Sequence, residues 1–129
     1  MNVYQEELLD HYENPSNYGT LPNPDISHEE DNPLCGDRIR IDLIVEDDII
    51  TEVRFSGHGC TISQAAASML TEEIEGKSLT EVKKLSRDDI LDMIGIPLGP
   101  VRLKCALLAL KVLKAGAYGI KGWPGEEDE

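Results

Sequence analysis

The stretch Arg38-Ile39-Arg40-Ile41-Asp42-Leu43-Ile44-Val45 sets Ile39, Ile41, Leu43 and Val45 on one parity and Arg38, Arg40 and Asp42 on the other, with Ile44 the single exception. Successive side chains of a strand point to opposite faces, so this period of two predicts a strand with one buried face. Glu46-Asp47-Asp48 follows as a turn, and Ile49, Val53 and Phe55 carry an apolar face onward. Residues 38–55 therefore predict an antiparallel hairpin, which Gly57-His58-Gly59 ends.

Beyond the hairpin the period changes. Residues 61–75 contain Ala65, Ala66, Ala67, Met69 and Leu70, good helix formers, and Gly76 is placed like a helix C-cap. Ser78 with Glu81, and Ser86 with Asp89, resemble capping boxes before two short amphipathic helices. Pro97-Leu98-Gly99-Pro100 breaks the chain, and a longer helix over 100–118 runs through Leu103, Leu107, Leu110 and Leu113. The tail 119–129, with Trp123-Pro124-Gly125 and the acidic end Glu126-Glu127-Asp128-Glu129, reads as frayed.

Before the hairpin, Tyr4, Leu8, Leu9 and Tyr12 have helical spacing over 3–13, and Asn14-Pro15 stops the pattern. From 14 to 34 there is no periodicity. Asn-Pro recurs at 14–15, 23–24 and 32–33, with Gly19 and Pro22, so the segment predicts a long, functional or mobile loop. Strands first and helices after imply an α+β domain, a small antiparallel sheet with helices packed on one face.

The 129 residues suit one domain spanning 1–129, and 40% hydrophobic with 29% charged residues is a globular balance. Only six residues are aromatic, so the core must be mostly aliphatic. The net charge is −13, and −9 without the four terminal acids. That excludes nucleic acid as a partner and disfavours an anionic membrane, since both need a basic surface. Residues 1–15 hold Glu6, Glu7, Asp10 and Glu13 and no Lys or Arg, unlike a secretory or transit leader, and a cytoplasmic protein is expected. Three cysteines cannot all pair within one chain, which leaves thiols for packing or chemistry.

Those thiols stand at element junctions: Cys35-Gly36-Asp37 before the first strand of the hairpin, Gly57-His58-Gly59-Cys60 after the second, and Lys104-Cys105 early in the last helix. Each has a plain reading. Cys105 lines up with Val101, Leu108 and Val112 as a small buried hydrophobe, Cys60 follows a turn glycine pair, and Asp37 is a turn residue after glycine. Each also has a chemical one. A helix N-terminus favours a thiolate at Cys60 and Cys105, with Arg102 and Lys104 adding positive charge, and Gly57 and Gly59 leave the approach to Cys60 open. Three sulfurs and one carboxylate oxygen make a four-donor set suited to zinc or to iron with sulfide. The hard oxygen among soft sulfurs weakens thiolate-type binding, a carrier's property. His58 is an alternative fourth donor, whereas His11 and His28 are expected outside the site and Lys104 serves either as a nearby cation or as a solvated surface group.

At these residues the chain resembles the iron–sulfur cluster assembly scaffold family, comprising IscU, SufU and the N-terminal domain of NifU. The resemblance rests on Asp10-His11-Tyr12 with Asn14-Pro15, on Asn32-Pro33-Leu34-Cys35-Gly36-Asp37, on Gly57-His58-Gly59-Cys60-Thr61-Ile62-Ser63 with Ala65 to Ser68, and on Val101-Arg102-Leu103-Lys104-Cys105-Ala106. It implies the SufE/NifU-like α+β fold with a three-stranded antiparallel sheet. It also implies a scaffold on which a labile [2Fe–2S]-type iron–sulfur cluster is built from iron and from sulfur delivered by a cysteine desulfurase, then passed to apo iron–sulfur proteins. Cys35, Cys60 and Cys105 match the ligand cysteines and candidate sulfur acceptors, and Asp37 matches the aspartate that keeps the cluster labile. Zinc is implied at the same place when no cluster is present.

The alternative is a zinc-dependent, SufU-like sulfurtransferase that relays persulfide sulfur. Lys104 replaces the histidine usual in IscU and makes Arg102 to Cys105 look more like SufU, but the spacing from Cys60 to Cys105 lacks the usual SufU insertion. Leu98-Gly99-Pro100-Val101-Arg102 differs at Gly99 and Arg102 from the peptide read by the IscU-system chaperone.

Overall fold

The computed structural model describes residues 2–33 and 36–124. The order is α1 (Val3–Glu13), β1 (Ile26–Asn32), β2 (Asp37–Glu46), β3 (Ile49–His58), α2 (Thr61–Ile74), α3 (Leu79–Val82), α4 (Arg87–Ile94) and α5 (Pro100–Tyr118). The strands form one antiparallel sheet in the order β1-β2-β3. Helix α5 packs against β1 and β2, α2 against β3 and α5, and α1 lies on α2. The three-stranded α+β arrangement expected from the family resemblance is the one observed.

The hairpin forms as its alternation predicts, with Ile39, Ile41 and Leu43 buried beneath the helices. Asp47 and Asp48 both adopt positive φ, 51° and 69°, and join Glu46 to its partner Ile49. Two left-handed residues make a turn whose twist matches that of the strands. Ile44, the exception in the pattern, marks a register shift between Ile44 and Val45, where the partner strand holds one residue more. That residue re-phases β3. Ile49, expected on the buried face, is 37% exposed, and Ile50 takes the inward place at 0%.

The segment 14–34, expected as a loop, contains β1 over Ile26–Asn32. Its period of two lies in burial and not in hydropathy: Ile26, His28 and Glu30 are half-buried, Asn32 is buried, and Ser27, Glu29 and Asp31 are exposed. Polar inward residues survive there because they are paired. His28 Nε2 lies 2.7 Å from Glu30 Oε2, and Lys111 of α5 forms an ion pair with Glu30. Burial pushes the Glu30 carboxyl up, but these hydrogen bonds and charges outweigh it and hold it below the ordinary range. A Cβ on Gly116 would stand 2.7 Å from His28 Cβ, so the close approach of α5 to β1 needs glycine.

The opposite face of β2 is covered by the chain before β1. Asp42 is 1% exposed and accepts from Leu21 N–H (3.0 Å), Ser27 Oγ (2.6 Å) and Arg40 Nε (2.8 Å). Two backbone bonds, Gly19 N–H to Phe55 O at 2.8 Å and Phe55 N–H to Asn17 O at 2.9 Å, cover part of the free edge of β3.

The short helices start as their sequences predict. Ser86 and Asp89 cap reciprocally, and Ser78 Oγ accepts from Glu81 N–H. Asn2 and Gln5 form a further capping box on α1. The phenol of Tyr118 donates to Leu79 O at 2.6 Å, and its burial, with the nearby Asp48 charge, pushes it up to about 12. No helix among the described residues is long and apolar enough to cross a membrane.

The tail from Gly119 departs from the frayed expectation as far as Pro124, while 125–129, with the acidic end, lie outside the described residues. Trp123 packs against the core, with the ammonium groups of Lys104 and Lys111 at 5.1 and 5.2 Å from its ring centroid. Cations over an indole face are attracted by its quadrupole. Trp123→Ala is therefore expected to lower stability by about 2 kcal/mol, from lost burial and two cation contacts. A urea transition followed by circular dichroism checks this, and an unchanged midpoint would contradict the packing.

Candidate metal centre

Three separate pieces of chain meet at one end of the sheet. Asn32 closes β1 and its cross-strand partner Asp37 opens β2. Gly36 N–H donates to Asn32 O at 2.9 Å beside that pair. Cys60 is the N-cap of α2, in extended conformation (φ −73°, ψ 170°), and its side chain makes no cap hydrogen bond. The sulfur is thereby left for other partners. Cys105 lies in the second turn of α5, where the helix starts from Gly99 and Pro100.

Packing of α5 on β1 and β2, and of α2 on α5, converges these junctions. One carboxylate oxygen of Asp37 and the sulfurs of Cys60 and Cys105 lie within 4.8 Å of one another. Asp37 is 1% exposed and Cys105 2%, whereas Cys60 is half-buried and faces outward more than either. The Asp37 carboxylate is held by α2: Oδ1 accepts from Cys60 N–H at 2.9 Å, and Oδ2 lies 3.8 Å from Cys60 Sγ. This is an N-terminal cap contributed from another strand.

The surroundings are built to the same shape. Ser63 Oγ donates to Cys60 O at 3.1 Å and stands 3.9 Å from Cys60 Sγ. A Cβ on Gly59 would meet Asp37 Oδ1 and Ser63 Oγ, each at 2.5 Å, so glycine at 59 allows the carboxylate to sit against the helix start. From the other side, Asn32 Nδ2 reaches Cys105 Sγ at 4.0 Å. One rung along the hairpin, Arg38 forks onto Asp31 at 2.7 and 3.2 Å, and that hydrogen-bonded guanidinium holds the exposed Asp31 carboxyl below its usual range.

Of the four residues expected to bind, Asp37, Cys60 and Cys105 are brought together, and Cys35 lies outside the described residues. His58 is exposed and is not part of the donor group found among the described residues. His11 and His28 are engaged elsewhere, His11 with Ser68 at 2.7 Å and His28 with Glu30. Lys104 is turned to Trp123. Asn32 and Ser63 are the buried polar neighbours that the sequence does not single out. Both read locally as turn or cap residues, and only their burial against the two sulfurs distinguishes them.

Tetrahedral zinc bonds sulfur at about 2.3 Å, which sets neighbouring donors roughly 3.8 Å apart. Donors within 4.8 Å can reach one ion by small side-chain movements, and the Cys60 sulfur and Asp37 oxygen already have that separation. Two thiolates and a carboxylate suit a borderline-soft divalent metal and, with a further thiolate, iron and sulfide.

The NifU-like N terminal domain family matches residues 3–126. Among the similar proteins, the zinc-dependent sulfurtransferase SufU of Bacillus subtilis is 37% identical, with 93% of this chain and 92% of that protein covered. The iron–sulfur cluster assembly scaffold protein IscU of Escherichia coli is 38% identical, with 92% of this chain and 94% of that protein covered. Among solved structures, a putative iron–sulfur cluster assembly scaffold protein for the SUF system from Fervidobacterium islandicum superposes with a TM-score of 0.77 at 27% identity, covering 90% of this chain and 99% of that one.

Proposed function

The chain belongs to the family of NifU-like N-terminal domains, and from that premise we propose that it is a scaffold for a labile [2Fe–2S]-type cluster. Iron and desulfurase-derived sulfur, reduced to sulfide by an external electron donor, are assembled on Cys35, Asp37, Cys60 and Cys105, and the product passes to apo iron–sulfur proteins. The observation that carries this reading is the buried Asp37 oxygen set among the sulfurs. A hard donor bonds iron less well than thiolate does, so the cargo is held by a set with one weak member. Cys60, the more accessible of the two described thiols, is where an incoming sulfur or an acceptor's thiolate can reach the site, while Cys105 and Asp37 hold from inside.

Anaerobic incubation with ferrous iron and sulfide tests the reading. The expected product absorbs in the visible and contains acid-labile sulfide. Correctly folded protein that stays colourless would overturn it.

A second reading has its own support. Three donors this close suit a single ion, whereas a two-iron centre divides its ligands into pairs and depends on Cys35 for the fourth place. A zinc-dependent sulfurtransferase of the SufU kind would use the same residues. Zinc bound there would supply a Lewis acid that keeps the thiolates deprotonated. Asp37 and Cys105 would anchor it, and Cys60 would stand at the accessible side. One equivalent of zinc in the purified protein, with a cysteine desulfurase accelerated and no cluster formed, would favour this reading over the scaffold.

A further inference from the structure

Asn-Pro occurs at three places in the chain, and the asparagine is treated differently at each. Asn14 and Asn23 are exposed, as turn residues usually are, whereas Asn32 is 0% exposed. An amide is retained in an interior when its polar atoms are used.

Asn32 is connected to the donor set in three ways. Across the ladder it pairs with Asp37. Its carbonyl accepts the N–H of Gly36, the residue before Asp37. Its side-chain Nδ2 is directed toward Cys105 Sγ at 4.0 Å, the outer limit for a donor to sulfur in the metal-free protein. We infer that Asn32 is a positioning residue of the metal centre, its amide orienting Cys105 Sγ and tuning the metal–sulfur bond while its main chain sets the hairpin end that presents Asp37. This rests on the reading of Asp37, Cys60 and Cys105 as ligands.

The physical reason is that a metal-bound thiolate is a stronger acceptor than a thiol. An N–H directed at it draws electron density from sulfur, lowers the energy of the sulfur lone pair and fixes the direction of that pair. Outer hydrogen bonds of this kind commonly change metal affinity by about 10- to 100-fold when lost. Leucine at 32 has the same branched shape, with somewhat more bulk, and no donor. Serine keeps a turn-forming hydroxyl and is too short to reach the sulfur.

Cobalt(II), added to the metal-free full chain, is the probe, because its sulfur-to-metal charge-transfer band reports the sulfur directly. In Asn32→Leu the band is expected to move to lower energy and the cobalt dissociation constant to rise about 10- to 100-fold. Asn32→Ser should shift the band in the same direction, and it provides the readout if the leucine variant fails to fold by circular dichroism. A merely structural role would lower the thermal midpoint of the metal-free protein and leave the band in place. An unmoved band with affinity within about threefold in a folded variant would overturn the inference alone. Absence of any thiolate-to-cobalt band in the unsubstituted protein would overturn the ligand reading, and this inference with it.

Discussion

Asp37→Ala is expected to extend the lifetime of a reconstituted cluster about tenfold or more, a change that needs only about 1.4 kcal/mol. The parent site places a buried carboxylate 3.8 Å from the Cys60 sulfur. On the scaffold reading this oxygen is the weakest donor of the set, since iron in a sulfide cluster prefers sulfur. Removing the carboxylate then deletes the donor expected to leave first. Decay of the visible band under an apo-acceptor is the measurement, and loss as rapid as in the parent would contradict the role given to Asp37. The variant also removes the acceptor of Cys60 N–H at the start of α2, so its metal-free form should be less stable by about 1 kcal/mol. Stability and retention thus move in opposite directions, which separates a specific effect at the site from general damage.

Asp42→Ala is expected to be the more destabilising change, by about 3 kcal/mol, or roughly a 10 °C fall in the thermal midpoint for a chain of this size. Asp42 ties Leu21 N–H and Ser27 Oγ to the outer face of β2 and holds the half-exposed Arg40 guanidinium of the same strand. Alanine leaves the buried Leu21 amide without its acceptor and opens the space the carboxylate filled.

The same residue predicts an acid dependence. Burial pushes the Asp42 carboxyl up, but the Arg40 and Ser27 hydrogen bonds, the Leu21 N–H and the Arg40 charge outweigh it, so its folded pKa lies below the ordinary aspartate value. The unfolded chain then binds the proton more readily. The stabilisation is present above about pH 4 and is lost as pH falls through the folded value. Glu30, lowered beside Lys111 and His28, contributes in the same window. Denaturation midpoints should therefore drop below about pH 4 in the parent and drop less in Asp42→Asn. Equal acid sensitivity in the two proteins would contradict the assignment.

Particular residues show how far local reading goes. Ile39, Ile41 and Leu43 announce β2 because one face of it is apolar and the other charged. Ile26, His28, Glu30 and Asn32 occupy inward positions of β1 with the same period, yet three of the four are polar. Their burial depends on Lys111, Gly116 and Cys105, which are 73 or more positions away in the chain and invisible to any local pattern. Trp123 was similarly unreadable in a tail of glycine, proline and acids, since what holds it is a pair of lysines on another face of α5. The candidate donors were legible because cysteine is rare here and stands where elements begin or end. Asn32 and Ser63 were not, because asparagine before proline and serine at a helix start have ordinary local explanations.

The amino-acid sequence by itself determined the β2–β3 hairpin, the helices and the candidate donors, though not β1: periodicity, caps and breakers act over a few residues, and soft and hard ligand atoms belong to side chains wherever they lie. Only the tertiary structure decided that Asp37, Cys60 and Cys105 share one space, which polar side chains brace them and that His58 is not in that group among the described residues. Those outcomes follow from packing α2 and α5 on one face of the sheet, where distance in space is set by buried area and close contact and not by distance along the chain.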